Sequence, residues 1–225
     1  MNRKNNPSLI FIMIISIISM AIIDSYIQPG YIVKSIIKLF IFLVIPILYS
    51  IKNKALSLID YFKIKSIKEI MKSLILGLGI YGIIIAAYSI LKNFIDLNNI
   101  QSILLNSLNV SKSNFVYVAL YISFINSLLE EFFFRGFLFI NFSKFMNRQK
   151  AYGISAFAFA IYHVAILSNW FNPILFIVAM IGLFIGGIIF NWLDEKNKNI
   201  YNSWLVHMFA NFAINTIGLM MFNII

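Results

Sequence analysis

Seven apolar runs, each about as long as a helix needs to cross the roughly 30 Å of hydrocarbon in a bilayer, constrain this chain more than any other feature. They cover roughly 8–27, 31–51, 73–91, 115–142, 151–168, 173–193 and 201–222. In lipid the backbone must satisfy its own polar groups, so runs of this length are helices. The fold class is therefore all-α: a polytopic membrane helix bundle of seven transmembrane helices, one integral membrane domain over residues 1–225. Of the 225 residues, 61% are hydrophobic and 12% charged. A soluble domain of that size cannot hide so much apolar surface. The fourth run is longer than a crossing needs and should tilt, break or emerge from the bilayer. Residues 53–72 and 93–113 mix apolar and polar side chains and read as amphipathic helices at the interface. An eighth, re-entrant segment within 93–113 stays open.

The first run follows Arg3 and Lys4, and Ser19-Met20-Ala21 imitates a signal-peptide cleavage site. Ile22 and Ile23 carry the apolar run past it, which reads as a retained span. The formal net charge is +10, yet the basic residues sit in short loops, where they suit an anionic lipid surface and not nucleic acid. Thirteen of the 18 Lys and Arg fall in the amino terminus and the loops on its side; only Lys92 and Lys112 lie opposite. Lys34, Lys38 and Arg135 lie within or at the ends of spans. The positive-inside rule puts the amino terminus in the cytoplasm and the carboxyl terminus outside. There are no cysteines, which excludes disulfides, thiolate metal sites and cysteine nucleophiles.

Strongly polar groups deep in the spans are functional candidates by default, because burying them in lipid costs several kcal/mol each. Glu130, Glu131 and Arg135 lie in the fourth span, His163 in the fifth, His207 and Asn211 in the seventh. At 1.5 Å per residue, Glu130 and His163 both lie about 18 Å from the cytoplasmic face, His207 about 9 Å and Asn211 about 15 Å. Three helices thus bring a carboxylate, two imidazoles and an amide to similar depth. Glu131 and Arg135 are four residues apart and can pair along one face. Glu130 points about 100° away, free for a cavity. His207 and Asn211 share a face, as do Phe159 and His163, with Phe159 a wall of the pocket.

A carboxylate with two imidazoles fits the activation of water. Glu130 is the candidate general base, His163 a holder of the same water, and His207 with Asn211 a pair of donors for an oxyanion. Glu130, His163 and His207 are equally a catalytic zinc set with water as fourth ligand; spacing does not choose between them. A zinc HExxH helix, a serine nucleophile turn and a mid-span aspartyl pair are absent from the sequence.

The ordered set Glu130-Glu131-x-x-x-Arg135, Phe159-x-x-x-His163 and His207-x-x-x-Asn211, spread over residues 115–215, resembles the CPBP family. These are the CAAX-protease and bacteriocin-processing intramembrane proteases, also called Abi. The motif-bearing catalytic core is then about 115–222. The resemblance implies an intramembrane endopeptidase, glutamate-dependent or metallo-, with a cavity open to the cytoplasm or the lipid. It implies that Glu130 activates water with His163, that His207 and Asn211 stabilise the oxyanion, and that Glu131 and Arg135 support the site. The expected partners are a peptide or membrane-protein substrate and the lipid bilayer; zinc is the one cofactor in question. An Ile-, Lys- and Asn-rich chain looks bacterial, so the expected location is a bacterial cell membrane and a prenylated substrate is not carried over. A non-catalytic bacteriocin-immunity or peptide-binding protein of the same fold is the alternative.

Overall fold

The computed structural model describes residues 7–53, 59–64, 66–196 and 198–225. It is 85% helical, and the described residues contain no strand. Seven helices are long and apolar enough to cross a membrane: α1 (Pro7–Ile27), α2 (Tyr31–Lys52), α3 (Ile67–Phe94), α5 (Phe115–Phe145), α6 (Arg148–Leu167), α7 (Pro173–Glu195) and α8 (Tyr201–Met221). A shorter helix, α4 (Leu97–Leu108), lies between α3 and α5. Large apolar side chains such as Phe11, Ile36, Ile75 and Ile177 stand exposed along the spans, the surface of a protein whose solvent is lipid.

One boundary differs from the sequence reading. Residues 67–72, assigned above to an interfacial helix, begin α3. Lys68, Glu69 and Lys72 make that turn look superficial, but Ser66 caps it, its Oγ accepting from Glu69 N, a Ser-x-x-Glu helix start. Among the described residues no eighth helix is long enough to cross: α4, within 93–113, has 12 residues, about 18 Å of helix. Arg3, Lys4, Lys54 and Lys65 of the orientation argument lie outside the described residues.

The other starts follow local chemistry. Asn147 and Asn172 cap α6 and α7 by accepting from Lys150 N and Leu175 N at 2.8 and 3.0 Å, and Pro173 occupies the first turn of α7. Pro46 lies inside α2, where its missing N–H and its ring disturb the ladder; a π-helical stretch, Phe40–Val44, precedes it.

α5 is the centre of the bundle. Every residue from Leu129 to Phe142 is buried. Its 31 residues do not form one regular helix. π-helical stretches at Ile122–Asn126 and Phe132–Phe139 flank the α-helical turn Ser127–Glu131. Such bulges re-aim side chains and favour functional positions. Around α5, small residues allow close crossings. A Cβ on Gly187 of α7 would stand 2.9 Å from Ala156 Cα of α6, and one on Gly77 of α3 would stand 2.5 Å from the Phe209 ring of α8.

Candidate active site

The short α-helical turn of α5 presents two adjacent carboxylates to opposite sides of a polar cluster. Glu130 is 3% exposed and Glu131 fully buried. Glu131 Oε1 accepts from Arg135 Nη1 at 3.2 Å, the pairing expected from their spacing. The Arg135 guanidinium lies between aromatic faces, 4.2 Å from the Phe159 ring centre and 4.8 Å from that of Phe190. Glu131 Oε1 also accepts from His207 Nδ1 at 2.7 Å. The carboxylate therefore joins a cation on its own helix to an imidazole on α8.

His163 marks a break in α6. Regular helix ends at Tyr162 and resumes at Val164. Its Nδ1 donates to the Phe159 carbonyl at 2.8 Å. Both imidazoles thus spend Nδ1–H on an oxygen, and in the neutral form each directs an Nε2 lone pair elsewhere. Both lone pairs face Glu130. His163 Nε2 is 3.9 Å and His207 Nε2 is 3.7 Å from Glu130 Oε2. That oxygen is buried with no hydrogen-bond partner among the described residues. Phe159 stands edge-on to both rings, at 4.8 and 5.7 Å between centroids, and Phe190 stacks on His207 at 5.2 Å. Phe159 is a wall, as its spacing from His163 indicated.

Two features depart from the sequence reading. Asn211 does not share a target with His207; its Nδ2 donates to the Ile122 carbonyl at 3.2 Å, because the π-helical stretch of α5 offers it an acceptor. Nor is Glu130 free of a counter-charge. Lys38, from α2, places Nζ 2.5 Å from Glu130 Oε1 and 2.5 Å from Asn126 Oδ1. Asn126 Nδ2 donates to the same Oε1 at 3.0 Å. Lys38 is 4% exposed. The sequence did carry a signal for it: a lysine seven residues into a span meets the same criterion that singled out Glu130.

Asp194, at the end of α7, holds the start of α8. Its Oδ1 accepts from Ser203 N at 3.1 Å and its Oδ2 from Ser203 Oγ at 2.6 Å. His207 follows one turn later. Trp204 Nε1 donates to the Phe124 carbonyl at 3.0 Å, a second tie between α8 and α5.

The zinc alternative can be tested against these contacts. Among the described residues, no three His, Asp or Glu side chains form a group able to hold a metal ion. The Lys38 ammonium on the Glu130 carboxylate would also repel a divalent cation there. The site offers instead one unpartnered carboxylate oxygen between two imidazole lone pairs. These are three acceptors with no donor among them, an arrangement that suits a water molecule able to donate to two of them.

No curated protein and no solved structure matches the chain. Residues 112–213 match the family model described as type II CAAX prenyl endopeptidase Rce1-like. The match covers just under half of the chain and spans α5 to α8, including every motif residue from Glu130 to Asn211. The segment that builds the site is therefore similar to the Rce1-like type II CAAX prenyl endopeptidases.

Proposed function

We propose that this protein is an intramembrane endopeptidase that hydrolyses a peptide bond with water activated by Glu130. The observation that carries the reading is the buried, unpartnered Glu130 Oε2 facing His163 Nε2 and His207 Nε2 at 3.9 and 3.7 Å. Water held there gives a proton to Oε2 as its oxygen attacks the scissile carbonyl carbon. The C–N bond then breaks, the proton passes to the leaving amine, and a carboxylate and an amine result. His163, held by the Phe159 carbonyl, orients the water. His207, backed by Glu131, is suited to carry positive charge and donate from Nε2 to the developing oxyanion. Asn211 Nδ2 gives one N–H to the Ile122 carbonyl and keeps a second donor for the same role.

The same reading is metal-free. It is supported by Lys38, which already supplies a cation to Glu130. The substrate class is a peptide or membrane-protein segment held in the bilayer. The amino terminus is assigned to the cytoplasm on the thirteen-to-two loop charge asymmetry.

The test is cleavage of quenched fluorescent peptides by purified protein in proteoliposomes. One probe is a farnesylated CAAX peptide and the others are its unprenylated counterpart and a panel of transmembrane peptides. Glu130→Gln should lower turnover by about 10²–10⁴, the usual worth of a general base. Because that variant leaves Lys38 unpaired, Lys38→Met/Glu130→Gln is assayed beside it as a neutral, folded inactive control. Turnover retained in both variants refutes the reading. Binding of a peptide without cleavage by the wild type supports the immunity or peptide-binding alternative. Stoichiometric zinc, lost with activity on chelation and restored with it, refutes the metal-free mechanism.

A further inference from the structure

We infer that Lys38 is a positioning residue for Glu130: a built-in counter-ion that occupies one carboxylate oxygen so that the other alone faces the histidines. The inference rests on the proposed hydrolytic role of Glu130 and deepens it. It concerns a span, α2, that lies wholly outside the matched family segment.

The geometry is specific to one atom. Lys38 Nζ and Asn126 Nδ2 both donate to Glu130 Oε1, and Lys38 Nζ also donates to Asn126 Oδ1. The three side chains close a ring that holds Oε1 in place. Oε2 receives nothing from the described residues. A carboxylate with two equivalent oxygens has thus been divided into a held oxygen and a reactive one. The ammonium is enclosed further by aromatic faces, 4.9 Å from the Tyr162 ring centre and 5.5 Å from that of Phe42. Such contacts stabilise a desolvated cation. Tyr162 immediately precedes His163, so Lys38 touches the segments that carry both the base and the first imidazole.

A simple tether between α2 and α5 would not need this placement, since any polar pair along the crossing would serve. One turn away the protein contains a plain tether of this kind, between α2 and α1. Lys34 pairs with Asp24 of α1 and not with Glu130. Lys34 and Lys38 sit on the same face of α2, and each meets a buried carboxylate. Only one of those carboxylates lies among the imidazoles, so Lys34 is an internal control for the loss of a span-embedded ammonium.

The experiment compares wild type, Lys38→Met, Lys38→Arg, Lys38→Gln and Lys34→Met in proteoliposomes, with two readouts. The first is infrared spectroscopy of the carboxyl groups, with Glu130→Gln identifying the bands of Glu130. It needs no substrate, so it tests Lys38 even if no peptide is cleaved and the hydrolytic reading itself fails. Wild type and Lys38→Arg should show the band of an ionised Glu130 carboxylate. Lys38→Met should replace it with that of a protonated carboxyl group. The second readout is kinetics on whichever quenched peptide the wild type cleaves. Lys38→Met should lower kcat by about 10²-fold, the order of a lost base, with KM unchanged. Lys38→Arg should recover part of it, and Lys34→Met should change the yield of folded protein but not kcat. If Lys38→Met does not reconstitute, Lys38→Gln, which can donate without charge, carries the same comparisons. An unchanged Glu130 band in the neutral variants, or a kcat loss that Lys34→Met matches, overturns the inference.

Discussion

Replacing Glu131 by Gln isolates the electrostatic half of the site. Both partners of the Glu131–Arg135 pair have side chains with no exposure, and they meet through one contact of 3.2 Å. Arg135 Nε and Nη2 have no hydrogen-bond partner among the described residues. Breaking a buried pair by neutralising one member typically costs about 3–5 kcal/mol, because the remaining charge is stranded. Two effects reduce that here. The guanidinium keeps its faces on Phe159 and Phe190, and the Gln oxygen can still accept from Arg135 and His207, although a neutral acceptor makes a weaker bond than a carboxylate. The expected loss is therefore about 3 kcal/mol, near the bottom of the range. That is roughly a hundredfold in the unfolding equilibrium. Reversible unfolding in mixed micelles, followed by tryptophan fluorescence, measures it. Glu131→Gln/Arg135→Met, which buries no unpaired charge, should recover most of the loss. A single variant within about 1 kcal/mol of wild type, or a double variant less stable than the single, would refute the reasoning.

Two further outcomes follow from packing and charge. Gly187→Val should destabilise by about 1–3 kcal/mol, an overpacking cost, because a Cβ there meets Ala156 Cα at 2.9 Å; Gly186→Val should be near neutral, since nothing lies within 4 Å. The same unfolding assay compares them, and equal effects would discount the α6–α7 crossing as the cause. Reporter fusions should read outside after Ser168 and inside after Lys198; the reverse pattern would invert the orientation and with it the side from which the site is reached.

The lengths of the apolar runs determined the helical class and the seven crossings, since a bilayer demands about 20 apolar residues and internally satisfied backbone. The one misplaced start, at α3, lay where three charges in Lys68–Lys72 masked a capped first turn. Contacts within a single helix were legible for the same local reason. Glu131 and Arg135, four residues apart, meet as a helix requires, and Phe159 shares a face with His163.

Contacts between helices were not legible, because depth along a span does not reveal the rotation or crossing of its neighbours. His207 and Asn211 share a helix face, yet one reaches Glu131 and the other the Ile122 carbonyl. The π-helical stretches of α5 decide this by shifting which backbone and side-chain oxygens face α8. Lys38 and Glu130 are 92 positions apart. In the sequence Lys38 is an interruption in an apolar run. Only the folded bundle assigns its charge to Glu130 Oε1, because burial in lipid forces each ion to find a partner and the crossing of α2 over α5 decides which partner that is.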